Sequence, residues 1–266
     1  MRTGPVARER RHTLHFLAEL RPFAPVFLDT EVDMGRVLAH RADGRAGGGR
    51  YSVVSYALHA AGRALARHPE ANAAVRGRVR PTVARYPAAH GKVTLDKTLN
   101  GRRVVLAAVV ADTDRASLEE IQRRVDHFRD GDPDTMPEFA GVRVLHRLPW
   151  PLRTLAYRLG SRPLARRPEV LGTFAVTSLG HRPVDGFHSV GGTTVTLGLG
   201  RVLDRPVVRD GAVAVAPIMR LSLAFDHRVI DGAEAADLLA DIKDGLEGFA
   251  APVPVPAVEG ATDERR

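Results

Sequence analysis

The chain has 266 residues, of which 44% are hydrophobic and 26% charged, enough apolar material for a core and too much for a disordered chain. It has no cysteine, which excludes disulfides, thiolate metal sites and a cysteine nucleophile. Its formal charge is +8, and because lysine occurs only at Lys92, Lys97 and Lys243 the basic residues are almost all arginines, suited to forked contacts with anions.

No apolar run is long enough for a membrane span, and the start, MRTGPVARERRH, lacks the apolar stretch of a signal peptide. The expectation is a soluble, cytoplasmic protein with no membrane and no nucleic-acid partner. One domain is expected over 10–250, with an N-terminal tail over 1–9 and a disordered C-terminal tail over 251–266.

Leu14, Leu17 and Leu20 recur at helical spacing until Pro22 and Pro25 stop them. Val26, Leu28, Thr30 and Val32 then alternate as a strand with one wet face. Arg45 to Arg50 reads as a loop, and Val54, Leu58, Ala61 and Leu65 mark a helix. Asp96-Lys97-Thr98 reads as a turn, and Val104 to Ala111 as a buried strand. Ser117 and Glu120 have the spacing of a capping box before the stripe Leu118, Ile121, Val125, Phe128. The segment 148–169 predicts a short basic amphipathic helix. Strands follow at Thr173–Ser178 and Thr193–Arg201. A hairpin turns at Asp210-Gly211, a pair that tolerates positive φ, and a strand follows at Leu221–Phe225. A last helix spans about Gly232 to Phe249. Strands separated by helices predict a two-layer α/β domain, a mixed sheet with helices packed on one face.

The strongest chemical signal is LSLAFDHRVIDGAEAADLL, Leu221 to Leu239, in which an apolar strand runs into a turn and then a helix. His227 at the strand end suits general-base work near neutral pH. Asp231 is placed to anchor the turn, and Gly232 to let the backbone enter the helix tightly. None of the eleven histidines sits in a zinc-binding pattern, so no metal is expected.

These residues resemble a known family. His227-x-x-x-Asp231-Gly232 within SLAFDHRVIDGAEAA is similar to the active-site motif of the 2-oxoacid dehydrogenase acyltransferase catalytic domain, whose fold is that of chloramphenicol acetyltransferase. GTFAVTSLG, RPVVRDGAVAVAPIMRLSL, PVFLDTEVDMGRVLAHR and YALHAAGRALARHPEANAAV resemble other parts of that domain in the right order, over about Arg10 to Phe249.

The resemblance implies a homotrimer whose active sites lie between subunits. His227 would deprotonate the attacking thiol or hydroxyl. Thr177, with Ser178 as the alternative, would stabilise the oxyanion from the next subunit. Asp231 would pair structurally with Arg10 or Arg11, and His181 and His188 could line an acceptor channel. The acyl donor would be acyl-CoA. Departures in the strand around Arg102-Arg103 and in 148–169, and no lipoyl or subunit-binding domain in the sequence, favour a stand-alone enzyme acylating a small-molecule hydroxyl, as relatives do in natural-product biosynthesis. The alternatives are a dihydrolipoyl acyltransferase core fed by a lipoyl domain in trans, and a non-catalytic trimeric scaffold. No lipoate is expected to be covalently bound to this chain.

Overall fold

A computed structural model of the chain describes residues 1, 4, 6–46, 48–77 and 79–250. The expected tail 251–266 lies outside the described residues. The N-terminal tail is shorter than expected. Arg8–Arg10 forms a 3₁₀ turn, fixed by Arg8 Nε donating to the His146 carbonyl at 2.7 Å and by a Glu9–Arg102 ion pair at 3.5 Å.

Among the described residues eight strands and eight α-helices follow in chain order: α1 (Arg11–Glu19), β1 (Pro25–Asp33), α2 (Gly35–Ala46), α3 (Val53–Arg67), β2 (Ala73–Arg76), β3 (Thr82–Arg85), β4 (Gly91–Leu99), β5 (Arg102–Val110), α4 (Leu118–Asp130), α5 (Ala140–Arg147), α6 (Trp150–Ser161), α7 (Arg167–Leu171), β6 (Phe174–Ser178), β7 (Val195–Arg209), β8 (Ala212–Asp226) and α8 (Gly232–Glu247). Six strands make one mixed sheet in the order β1-β8-β7-β6-β4-β5, and β2-β3 is a separate hairpin.

The alternation of each strand sorts its side chains between two sheet faces. Val93, Phe174, Val176, Leu197, Leu223 and Phe225 are buried in the core. Against them pack α3 and α8, through Tyr56, Leu58, Leu65, Leu238 and Ile242. Ser52 caps α3, its hydroxyl accepting from the Ser55 amide at 3.1 Å. Half of the expected box at α4 forms. Ser117 Oγ accepts from the Glu120 amide at 3.2 Å, while the Glu120 carboxylate turns to Arg124 instead.

The expected two-layer sandwich is therefore present, with an addition on its other face. There Lys92, Ala175 and Thr196 stand side by side, and Lys92 lies under Phe16 of α1. Helix α6 is tied to α1 by Arg158 and Arg162, both paired with Glu19.

Two readings change. The strands expected at Thr193–Arg201 and Leu221–Phe225 are the inner halves of one long hairpin whose turn has Asp210 at φ 51° and Gly211 at φ 79°. Asp96-Lys97-Thr98 is strand, inside β4, because Asp96 pairs with Arg103 across the ladder and Lys97 Nζ reaches the Arg129 carbonyl at the end of α4. The short basic helix expected within 148–169 is α6, which carries Leu152, Leu155, Ala156 and Leu159, and α7 begins before the segment ends.

Candidate active site

The strand β8 delivers His227 to a turn built mainly by its neighbour. The Asp226 side chain is 3% exposed and accepts from Arg228 Nε at 2.9 Å, while its carbonyl accepts from the Val229 amide at 2.9 Å. The pairing pushes the Arg228 pKa up. The His227 amide donates to the Ala24 carbonyl at 2.9 Å, locking the turn to the start of β1. The imidazole stays open, with a side chain 46% exposed and Nδ1 3.4 Å from Asp231 Oδ1.

Within one chain Asp231 does not reach the arginines expected to pair with it. Its carboxylate is 90% exposed, and no ion pair joins it to Arg10 or Arg11 among the described residues. The physical reason is topological. Arg10 and Arg11 begin α1 where Glu9 meets Arg102 of β5, the sheet edge opposite β1, whereas Asp231 follows β8. The anchoring carboxylate is Asp226, whose signal in the sequence is an acid ending an otherwise apolar strand. Gly232 opens α8 with free space where a Cβ would sit, so a single chain gives no steric reason for glycine there.

Thr177 and Ser178 lie on opposite sheet faces. Ser178 Oγ accepts from the Gly180 amide at 3.3 Å, closing the turn that follows β6. Thr177 shares the face of Ala175, is half-buried, and its hydroxyl has no hydrogen bond among the described residues. That leaves it free for a ligand. It does not meet His227 within one chain. Thr177 is opposite Gly198, which is opposite Ser222, five residues before His227. Two strand spacings and five residues along the strand put the two positions about 19 Å apart.

The loop 181–192 crosses the same face. Ser222 Oγ donates to the Phe187 carbonyl, and a Cβ on Gly198 or Gly200 would run into the backbone of Phe187 or Asp185. The two loop histidines are not brought together. His188 stands over β1, 3.9 Å from Asp29 and edge-on to Phe27, whereas the charge of His181 is felt by Asp96 on β4.

Lys92 was missed because β4 was not recognised as a strand. Its ammonium donates to the Gly191 carbonyl, and burial pushes its pKa down to about 7. The next carbonyl, Gly192, accepts from Arg167, so two cations hold the end of the loop. Among the described residues no three His, Asp or Glu side chains converge as a metal-holding group.

Two cavities carry positive charge. One, of about 660 Å³, is lined by Arg41, Arg45, Arg50 and Arg129 together with Tyr51 and Ser52 at the start of α3. The other, of about 540 Å³, has Arg21 and Arg228 in its wall.

This six-stranded sheet with its helical layer has the fold of chloramphenicol acetyltransferase. Chloramphenicol acetyltransferase itself superposes with a TM-score of 0.52 at 16% identity, over 91% of this chain and 98% of that one. Over part of its length the chain is similar to the 2-oxoacid dehydrogenase acyltransferases. Residues 154–253 match the family model described as 2-oxoacid dehydrogenases acyltransferase (catalytic domain). The succinyltransferase component of the 2-oxoglutarate dehydrogenase complex of Azotobacter vinelandii is 26% identical over 250 residues, 91% of this chain and 55% of its own length. The chain thus spans about half of that curated relative. The dihydrolipoamide acetyltransferase of Azotobacter vinelandii superposes with a TM-score of 0.70 at 20% identity, over 93% of this chain and 91% of that one. Its description places a serine, a histidine and an asparagine in its catalytic mechanism.

Proposed function

We propose that the chain is the catalytic domain of an acyltransferase that moves an acyl group between CoA and a dihydrolipoyl-type dithiol carried on another chain, at a site completed by a second copy in a trimer. The observation that carries this reading is the His227 turn. It holds an accessible imidazole rigidly by its backbone and leaves the ring free to exchange a proton.

An ionised Asp231 only accepts hydrogen bonds, so beside Nδ1 it favours the tautomer with the proton there and leaves Nε2 as the base. Nε2 takes the proton of the attacking thiol. The sulfur attacks the thioester carbonyl, and the oxyanion receives a hydrogen bond from Thr177 of the second copy. Collapse breaks the original C–S bond, and the departing sulfur recovers the proton from the imidazolium.

The separation of about 19 Å between His227 and Thr177 supports a shared site, since one chain cannot close it. The cavity of four arginines suits the phosphates of CoA. The relatives' descriptions favour the dithiol over the small-molecule hydroxyl as acceptor.

The test is thiol exchange from acetyl-CoA and succinyl-CoA to dihydrolipoamide, with simple alcohols in parallel. Transfer to dihydrolipoamide is expected. Acylation of alcohols alone would overturn the dithiol reading, and no transfer to any acceptor would leave the scaffold.

A further inference from the structure

The cavity of about 540 Å³ is lined by Arg21, Pro22, Val75, Gly77, Pro81 and Arg228. It flanks the His227 turn on two sides. Arg228 is the next residue in the chain, and Pro22 lies two residues before Ala24, whose carbonyl holds the His227 amide. The third wall is the β2-β3 hairpin, whose tip has the sequence RGRVRP from Arg76 to Pro81. Gly77 takes φ 99° there, and a Cβ at that position would press on the Arg80 carbonyl.

Of the two arginines that line the cavity, Arg228 is paired with Asp226, whereas Arg21 is exposed and makes no ion pair among the described residues; Arg76 and Arg80, on the hairpin next to the lining residues, are exposed and likewise unpaired. The nearest carboxylate, Asp226, is buried and spent on Arg228, and buried Arg167 also feels its charge. The lining contains no acid. Pro22, Val75 and Pro81 give it apolar walls. Arginines gathered without counter-charge around a partly apolar cleft repel one another unless an anion enters, and forked guanidiniums match carboxylate and phosphate oxygens.

We propose that this cavity is an anion subsite that holds a carboxylate or phosphate of a substrate while the reacting carbonyl or sulfur lies at His227. The proposal rests on the reading of His227 as the catalytic base. The anion can come from the acyl group, as in a dicarboxylic acyl thioester, from CoA itself, or from an acidic acceptor. The charge requirement is the same in all three.

Calorimetric binding separates the sources without needing turnover. Succinyl-CoA, acetyl-CoA and acetyl-pantetheine are titrated into the full chain and into Arg21→Gln and Arg80→Gln, with Arg147→Gln, an exposed arginine that lines neither cavity, as a control. Loss of a charged contact should weaken the anionic ligand by at least about tenfold. Weakening of succinyl-CoA alone assigns the subsite to an acyl carboxylate. Weakening of both CoA thioesters, with acetyl-pantetheine unchanged, assigns it to a CoA phosphate. If neither changes, the KM of dihydrolipoate should rise at least about tenfold in the variants while that of dihydrolipoamide stays fixed, assigning the subsite to an acidic acceptor. Unchanged affinities and unchanged KM values in both variants would overturn the proposal. A wild-type chain that binds these ligands through Arg21 and Arg80 but transfers nothing would instead overturn the reading of His227.

Discussion

The two faces of the central sheet are built by different rules. On the face toward α3 and α8, alternate positions are Val, Leu and Phe, and they are almost wholly buried. On the other face the corresponding positions are Lys92, Ala175, Thr177, Thr196, Gly198 and Ser222. Small and polar residues there allow the loop 181–192 to lie with its backbone against the strands, held by Ser222, Lys92 and Arg167. The first face supplies stability by burying apolar surface. The second is shaped to receive main chain and carries Thr177. In the proposed mechanism, a chain whose hydroxyl lies on one face and whose base lies about 19 Å away at a strand end borrows one of them from a neighbour.

The largest effects should come from the two groups that this separation keeps apart. His227→Ala should lose about 10²–10⁴ in turnover with its melting temperature unchanged. Thr177→Ala should lose about 10²–10³, and Thr177→Ser should keep most of the rate. Mixing the two inactive variants under conditions of subunit exchange should restore part of the activity, because some interfaces then pair an intact His227 with an intact Thr177. A mixture that stays dead while full wild-type rates persist in a demonstrated monomer would refute the shared site.

Asp226 and Asp231 sharpen the comparison at the His227 turn. Asp226→Asn takes the charged acceptor from a half-exposed Arg228 and should cost about 1–3 kcal/mol, read as a loss of thermal stability. Asp231→Asn changes an exposed carboxylate and should stay within about 0.5 kcal/mol of wild type. Its effect should be on the rate, through the tautomer of His227. If Asp231→Asn melts early and Asp226→Asn does not, the anchoring roles are the reverse of those the geometry assigns.

On the polar face, Gly200→Ala places a methyl group into the Asp185 carbonyl. It should cost about 1–3 kcal/mol and loosen the loop that Lys92 holds. Gly232→Ala meets nothing in the chain and should be neutral or slightly stabilising in a helix, as thermal melts of the two variants would register. A large loss at Gly232 in the assembled protein would place α8 against a second copy.

The apolar face was legible in the sequence because its signal is periodic. Val54, Leu58, Ala61 and Leu65 mark α3 and are packed as expected, and the Asp210-Gly211 turn falls where its φ preference puts it. The His227 motif was legible because its residues are contiguous. The polar face was not. In β4 the alternation of Lys92, Thr94 and Asp96 with Val93 and Leu95 carries charge on both ends, and Lys97 interrupts it. A buried lysine satisfied by a carbonyl 99 residues away has no local signature. The pairing of Asp231 with Arg10 or Arg11 failed for the same reason, since it required knowing which sheet edge α1 begins on. Ser178 could not be separated from Thr177 until the register of β6 assigned them to opposite faces.

Titration should read regions of the molecule in different pH windows. Burial pushes the imidazoles of His59, on the helical side in α3, and of His146, in α5, down to about 4. Above pH about 6.5 both are neutral folded or unfolded and affect nothing. As pH falls from there toward 4, the unfolded chain takes up protons that the folded chain resists, so stability drops, and below 4 the loss is complete. Lys92, on the polar face, behaves oppositely in range but not in sign. Its folded pKa of about 7 is below the unfolded value, so between about 7 and 10.5 the unfolded state binds the extra proton and stability rises with pH. Denaturant melts across pH 4–10 should therefore show two rising segments. His146→Gln should flatten the acid segment, and Lys92→Met should remove the alkaline one and stabilise the protein most below about pH 7, where the penalty of the buried ammonium is complete. A wild-type chain with no alkaline segment would mean that the Gly191 carbonyl and the Phe16 ring keep the lysine charged, and that the loop is held by an ion rather than by a neutral amine.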